Sequence, residues 1–253
     1  MIPVSTLSVQ IVPVLKDNYT YLAVDGASGD CLIIDPPEAR PVLDRLDSEK
    51  LRPVAIWLTH HHSDHIAGVP DLLREFPDLP VVCSRRDVER IPQSTRSVGE
   101  GDTLEFAGET ATVMELPGHA DGHIAFHFPD SGHLFCGDVI FGASCGAVFT
   151  DTHSEMFHSV SRVATLSPST RLWVGHEYTQ NNLRFAEAVL GTEALKERKE
   201  KFLMPSVPLL LEEELRTNPF MRLETPEVLG YLGLQPGNPE ATFKALRLAK
   251  DRF

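Results

Sequence analysis

Along the first 174 positions the hydrophobic residues come in short runs separated by turn-forming residues. Leu7–Val14, Tyr19–Val24, Cys31–Ile34, Val54–Leu58, Pro80–Cys83, Thr103–Phe106, Thr112–Leu116, Ala125–Phe128, His133–Cys136 and Arg171–Val174 have the length and β-branched or aromatic content of strands. Gly26-Ala27-Ser28-Gly29-Asp30 predicts a hairpin turn between two of them. Ile66–Phe76 and Ser154–Leu166 carry apolar residues at helical spacing. Many strands with interspersed helices predict a layered α/β arrangement.

After about Glu177 the period changes. Asn181–Leu190 reads as a helix stopped by Gly191, and the charged stretch Thr192–Leu203 as another. Thr225-Pro226-Glu227 and Asn238-Pro239-Glu240 both place a capping residue before a proline at the first helical position, and Ala241–Asp251 continues as an amphipathic helix. The stretch Met204–Pro208 predicts a loop. The final third is therefore expected to be all-helical.

Composition narrows the class. The chain has 253 residues, 42% hydrophobic and 23% charged, the balance of an ordinary soluble domain. No apolar run approaches the roughly 20 residues needed to cross a bilayer. Met1-Ile2-Pro3-Val4-Ser5 lacks a basic n-region, so a cytoplasmic protein without a secretory signal is expected. Cys31, Cys83, Cys136 and Cys145 are scattered and read as buried reduced thiols. A net charge of −13 argues against nucleic acid as a partner, and an anionic substrate would need a local basic pocket.

The chemistry is concentrated where strands end. Val54–Leu58 runs into Thr59-His60-His61-His62-Ser63-Asp64-His65, Thr112–Leu116 into Pro117-Gly118-His119, His133–Cys136 into Gly137-Asp138, and Arg171–Val174 into Gly175-His176. Ligands gather beyond the ends of adjacent strands in such architectures. One catalytic ion is satisfied by three protein ligands and a water, whereas His60, His62, Asp64, His65, His119, Asp138 and His176 make seven candidates, a number suited to two ions with Asp138 bridging. The expected division gives His60, His62 and His119 to one ion and Asp64, His65 and His176 to the other, with a bridging hydroxide as nucleophile. Imidazole and carboxylate donors suit zinc, and also iron or manganese. A lone His119 or His176 would more often be structural; the company of the first segment makes each a ligand candidate. His61 is expected to point away, and His123 to support the site rather than ligate.

These residues resemble the metallo-β-lactamase superfamily, whose mark is the THxHxDH segment, here Thr59 to His65. The resemblance covers about the first 175 residues and implies an αββα sandwich with metals at one edge between two sheets. Asp17-Asn18-Tyr19, Cys145-Gly146, Gly175-His176-Glu177-Tyr178-Thr179, Asn182-Leu183-Arg184-Phe185-Ala186, Asn218-Pro219-Phe220-Met221-Arg222 and the tail Leu246–Phe253 further resemble the hydroxyacylglutathione hydrolases, or glyoxalase II. That resemblance implies a metal-binding catalytic domain over residues 1–176 and a helical substrate-binding domain over 177–253. It implies hydrolysis of S-(2-hydroxyacyl)glutathione thioesters such as S-lactoylglutathione, the second step of methylglyoxal detoxification. It also implies that Phe149, Tyr178, Arg247 and Lys250 contact substrate, with Asp64 and Asp138 acting in catalysis; a monomer is expected. Ala147 stands where the family commonly carries Lys or Arg, Phe149 lacks the hydroxyl usual at its position, and Thr150-Asp151-Thr152 departs from the usual Glu-Gly, which together imply weaker glutathione binding or a somewhat different thiol carrier. The rival readings are a persulfide dioxygenase using one iron on His60, His119 and Asp138, another thioesterase, lactonase or nuclease of the superfamily, and an inactive binding module.

Overall fold

The structure is a computed structural model that describes residues 7–149 and 152–253; the segment Met1 to Ser5 and the departures at Thr150 and Asp151 lie outside the described residues. The chain divides into two compact units. The first comprises Met1–Glu115 and Asp121–Gly137, the second Leu116–Ala120 and Asp138–Phe253.

In the first unit, strands β1 (Leu7–Val14), β2 (Asn18–Asp25), β3 (Asp30–Ile34), β4 (Arg52–Trp57), β5 (Val81–Ser84) and β6 (Arg96–Val98) form one sheet in that order. The first three pair antiparallel and the rest parallel. Strands β7 (Thr103–Phe106), β8 (Glu109–Glu115), β9 (Ile124–Phe128) and β10 (His133–Gly137) form an antiparallel run. Helices α1 (Ala39–Glu49), α2 (Ser63–Ile66) and α3 (Val69–Glu75) complete the unit.

Alternation along the strands explains the two faces of the first sheet. Leu22, Val24, Cys31, Ile33, Ile56 and Leu58 pack with Val42 and Leu46 of α1 and Val69 and Leu72 of α3. The intervening residues face the second run of strands: the Trp57 ring lies 4.8 Å from Phe126 and 5.9 Å from Phe128, and Tyr21 lies 5.9 Å from Phe135. Strands buried on both faces read as continuous apolar runs rather than alternating ones, which is why these were legible. The Gly26–Asp30 turn joins β2 to β3 as expected.

The predicted helix Ile66–Phe76 is broken in two. Gly68 packs so tightly on the chain before α1 that a Cβ there would lie 2.8 Å from Pro36 O and 2.8 Å from Ala39 N. The helix therefore restarts at Val69, with Gly68 as its N-cap.

The second unit holds the hairpin β11 (Ile140–Phe141) and β12 (Ser144–Cys145), helix α4 (His153–Ala164), and the antiparallel pair β13 (Arg171–Val174) and β14 (Leu209–Leu210). Helices α5 (Thr179–Leu190), α6 (Thr192–Lys201), α7 (Leu211–Thr217), α8 (Pro226–Leu232) and α9 (Pro239–Asp251) follow, with a 3-10 turn at Pro219–Met221. The Asn238 side chain accepts from Ala241 N–H at 3.0 Å, the capping bond its sequence predicts, whereas the Thr225 side chain makes no cap bond. Phe185, Phe220 and Phe243 form the aromatic centre of these helices, with ring separations of 6.4 and 5.5 Å.

Candidate metal centre

Each predicted ligand follows a strand, and the structure gathers them into one group in each unit. In the first unit β4 ends at Trp57, and the chain turns through Leu58 and Thr59 into the histidine-rich loop. His60 is fully buried and His65 is 1% exposed, whereas His62 and the Asp64 carboxylate are only partly covered. The His60 ring lies 4.6 Å from His62 and 4.2 Å from His65, and His65 Nε2 stands 3.9 Å from Asp64 Oδ2. Three imidazoles and a carboxylate thus share one small volume. The single turn of α2 places Asp64 and His65 there, with His62 as its N-cap and His65 N–H donating to His62 O.

Asp35, which the sequence did not single out, organises this group. Its Oδ1 accepts from Thr59 N–H at 2.8 Å; its Oδ2 accepts from Thr59 Oγ1 at 2.7 Å and faces His65 Nδ1 at 3.1 Å. A carboxylate only accepts, so the His65 proton sits on Nδ1 and Nε2 carries the lone pair. Thr59 has one hydroxyl proton and gives it to Asp35, so at 3.0 Å it accepts from His60 Nδ1–H, which leaves the His60 lone pair on Nε2 as well. Asp35 adopts a left-handed φ of 50°, strain that its buried contacts hold in place. Asn18 donates through Nδ2 to Asp64 O at 2.9 Å and to Asp64 Oδ2 at 3.3 Å, fixing that carboxylate. The sequence marked Asn18 only as part of a family motif.

In the second unit, Asp138 Oδ2 lies 3.3 Å from His119 Nε2 and 3.4 Å from His176 Nε2. All three side chains are at least nine-tenths buried. One carboxylate oxygen thus faces two imidazoles. His119 Nδ1 donates to Ala147 O at 3.0 Å, which fixes the ring with Nε2 toward Asp138. Gly118 gives His119 its approach: φ is 131°, and a Cβ there would sit 2.5 Å from Met156 Cα on α4. The same logic applies at Gly146, where a Cβ would be 1.9 Å from Asp138 O.

Two of the expected substrate contacts flank these histidines. The Phe149 ring, 68% exposed, lies 5.2 Å from His119, and the Tyr178 ring stacks on His176 at 4.8 Å with an interplanar angle of 9°. The other two are more enclosed. Arg247 is 5% exposed; its Nη1 donates to Cys145 O at 3.1 Å, and its Nε and Nη2 donate to Asp251 Oδ1 at 3.1 and 2.7 Å. Lys250 lies over the Phe185 ring at 5.5 Å, and burial, together with the nearby Arg247 charge, lowers its pKa below the usual lysine value.

His61 does not turn toward its neighbours' cluster. Its Nδ1 lies 3.0 Å from Asp87 Oδ1, beside Asp121. Arg90 already occupies the cation position of that group, at 2.9 Å from Asp87 and 3.0 Å from Asp121, so a guanidinium rather than an ion balances the charge. His123 stacks on His60 with ring centres 4.8 Å apart. A Cβ on Gly137 would lie 2.5 Å from Thr59 Oγ1, so only glycine lets the end of β10 reach that residue.

In both groups the donors fit divalent ions. They are imidazoles and carboxylates, and His60, His65 and His119 each have Nδ1 tied to an oxygen, the arrangement that orients metal-binding histidines.

Comparison with known proteins agrees with this chemistry. Residues 16–176 match the metallo-β-lactamase superfamily, and residues 177–253 match the hydroxyacylglutathione hydrolase C-terminus. A hydroxyacylglutathione hydrolase of Gloeobacter violaceus is 43% identical over 94% of this chain and 97% of its own length. One from Crocosphaera subtropica is 40% identical over 98% of this chain and all of its own. Among solved structures, TTHA1623 in a di-iron-bound form is 28% identical with a TM-score of 0.60, covering 83% of this chain and 98% of that one.

Proposed function

The chain belongs to the hydroxyacylglutathione hydrolases of the metallo-β-lactamase superfamily, and from that membership we propose how its residues carry out the hydrolysis of S-(2-hydroxyacyl)glutathione thioesters. The fold is the αββα sandwich of that superfamily with a C-terminal helical domain. We propose that residues 1–176 carry the metal chemistry and 177–253 the principal substrate contacts. The single-iron persulfide dioxygenase reading is not favoured, because full-length relatives carry the hydrolase name.

His60, His62 and His119 would hold one divalent ion and Asp64, His65 and His176 a second, with Asp138 shared between them. The observation that carries this reading is Asp138 Oδ2, placed within 3.4 Å of both His119 and His176 Nε2. Support also comes from the superfamily match, which runs through both groups of residues without a break, and from the di-iron-bound TTHA1623. Zinc is the expected metal, with iron or manganese compatible with the same donors.

A pair of such ions, when bound, supplies a water activated at neutral pH and Lewis-acid polarisation of the thioester carbonyl. The chain's own residues do the rest. Asp35 and Thr59 hold His60 and His65 in the Nδ1–H tautomer, so that no proton transfer is needed before they ligate. Asn18 holds the Asp64 carboxylate, which would orient the attacking water by accepting its hydrogen bond. Phe149 and Tyr178 would border the acyl group, while Arg247 and Lys250 would meet the anionic glutathione part and hold the thioester in place. The leaving thiolate, whose conjugate acid has a pKa of about 8.5, departs without a strong general acid. Metal analysis of the purified protein, paired with S-lactoylglutathione hydrolysis by the native chain and Asp138→Ala, tests this. Two ions per chain and loss of both metal and activity in the variant are expected; a fully active Asp138→Ala protein would refute it.

A further inference from the structure

Residues Asp138 to Ala147 form a short hairpin whose two ends both serve the candidate metal centre. At one end is Asp138; at the other, Ala147 O fixes the His119 ring. Gly146 N–H donates to Val139 O at 3.1 Å, and the contact of Gly146 with Asp138 O leaves no room for a side chain. The register Ile140↔Cys145 and Phe141↔Ser144 then sets where the two ends lie. The hairpin has only two residues in each strand, and a two-stranded ribbon of this size is not stable by itself. Something else must hold its tip, where Ala143 takes a left-handed φ of 58°.

The C-terminal helices supply that hold through buried polar side chains. Glu214 of α7, fully buried, accepts from Ala143 N–H at 2.9 Å through Oε2, and the same oxygen accepts from Asn218 Nδ2 at 3.0 Å. Asn218, also fully buried, donates through Nδ2 to Ser144 O at 2.8 Å and accepts from Phe220 N–H at 3.0 Å through Oδ1. Arg198 of α6 balances the Glu214 charge and donates to Thr217 Oγ1 at 2.6 Å. On the returning strand, Cys145 O accepts from Arg247. An ionised carboxylate with no exposure is costly unless fully paired, so this network has one well-satisfied arrangement, and the hairpin is part of it.

We propose that Glu214 and Asn218 are positioning residues for the metal centre: by fixing the tip of the 138–147 hairpin they set the spacing between Asp138 and the Ala147 carbonyl that orients His119. The inference rests on the proposed metal-ligand roles of Asp138 and His119, and it does not depend on which thioester is the substrate. It gives the C-terminal helices a second task besides the proposed substrate contacts, which is to position two of the seven candidate ligands, Asp138 and His119.

Asn218→Asp is the sharpest perturbation. It keeps shape and the bond to Phe220 N–H but turns a donor facing Ser144 O and Glu214 into an acceptor. Zinc-loaded native and variant proteins would be challenged with a chelator, alongside Val228→Ala, a fully buried change in α8 away from the hairpin. The expected result is metal release at least about tenfold faster in Asn218→Asp, a fall in kcat with little change in KM, and native-like release in Val228→Ala despite its lower melting temperature. Equal release by Asn218→Asp and native protein, or equal acceleration in both variants, overturns the proposal. A measurement without mutation covers the case in which Asn218→Asp does not fold. Because coupling is reciprocal, zinc must slow hydrogen exchange of the Ala143 amide in the native chain; an exchange rate unchanged by zinc overturns the proposal equally. Zinc binding with no thioester hydrolysis would count against the substrate reading alone.

Discussion

Asp35→Asn isolates the part played by a carboxylate that holds a candidate ligand, His65, without being one itself. The native side chain accepts three hydrogen bonds, two from Thr59 and one from His65, at 2.8, 2.7 and 3.1 Å. An amide of the same shape has one accepting end and one donating end. If its oxygen faces the fixed Thr59 N–H, its NH2 meets Thr59 Oγ1 and His65 Nδ1. His65 must then accept at Nδ1 and carry its proton on Nε2, the atom meant for the ion. Thr59, no longer able to give its proton to residue 35, gives it to His60 Nδ1, and His60 shifts its proton to Nε2 too. If the amide turns the other way, Thr59 N–H is left buried against an NH2 group, at a cost of about 1–3 kcal/mol. Either way the metal-bound state loses on the order of 1.4–2.7 kcal/mol, which is about 10–100-fold in affinity. Competition for zinc between the variant and a chromophoric chelator reads this directly. The melting temperature of the metal-free protein should fall less than that of the loaded protein. A zinc affinity within about twofold of native would refute the tautomer reasoning.

Gly146→Ala should lose metal and activity together, because its Cβ would fall 1.9 Å from a backbone oxygen that cannot yield; native metal content in the purified variant would contradict this. Burial pushes the Cys31 thiol up from 9.0 to about 12 and the Cys145 thiol up to about 11. Raised folded values mean that the stabilisation is complete below pH 9.0 and lost as the pH climbs toward those values, at about 1.4 kcal/mol per unit and group; denaturant titrations across that window should show the fall, and a shallower slope in Cys31→Ala. Ala147→Arg should lower KM for S-lactoylglutathione with kcat nearly constant, since the Ala147 contact to His119 is made by its backbone carbonyl and survives the change; an unchanged catalytic efficiency would count against the reading that Ala147 weakens glutathione binding.

Features that depend on local pattern were legible in the sequence. Strands β1, β7 and β13 fall on their predicted bounds, and each segment that carries predicted ligands begins just after the end of a strand, because an apolar run followed by Gly, Thr or His marks both the edge of a sheet and a loop able to present a side chain. Helix α1 was missed because Pro36, Pro37 and Pro41 crowd its start, and proline is a weak sign of a helix unless a cap stands before it. Helix α7 opens with Leu211 and three glutamates directly behind the apolar stretch that forms β14, so no window shows a clear period. The two-residue strands β11 and β12 are too short for any pattern. Asp35 and Glu214 escaped for a different reason. The site residues they hold lie far along the chain, Thr59 24 residues from Asp35 and Ala143 71 residues from Glu214, and nothing local distinguishes a carboxylate that orders a site from one that faces water.

The division of the chain carries a consequence for how this protein can be taken apart. The family matches meet at residues 176 and 177, yet the second compact unit reaches back to Asp138 and takes in Leu116–Ala120. A cut at the family boundary leaves the hairpin and α4 on one fragment and Glu214, Asn218 and Arg247 on the other. Neither piece keeps a whole second unit. Grafting the C-terminal segment of one relative onto the front of another would therefore exchange half of a packed unit. Chimaeras that move residues 138–253 together with 116–120 keep the hairpin and its clamp from the same parent.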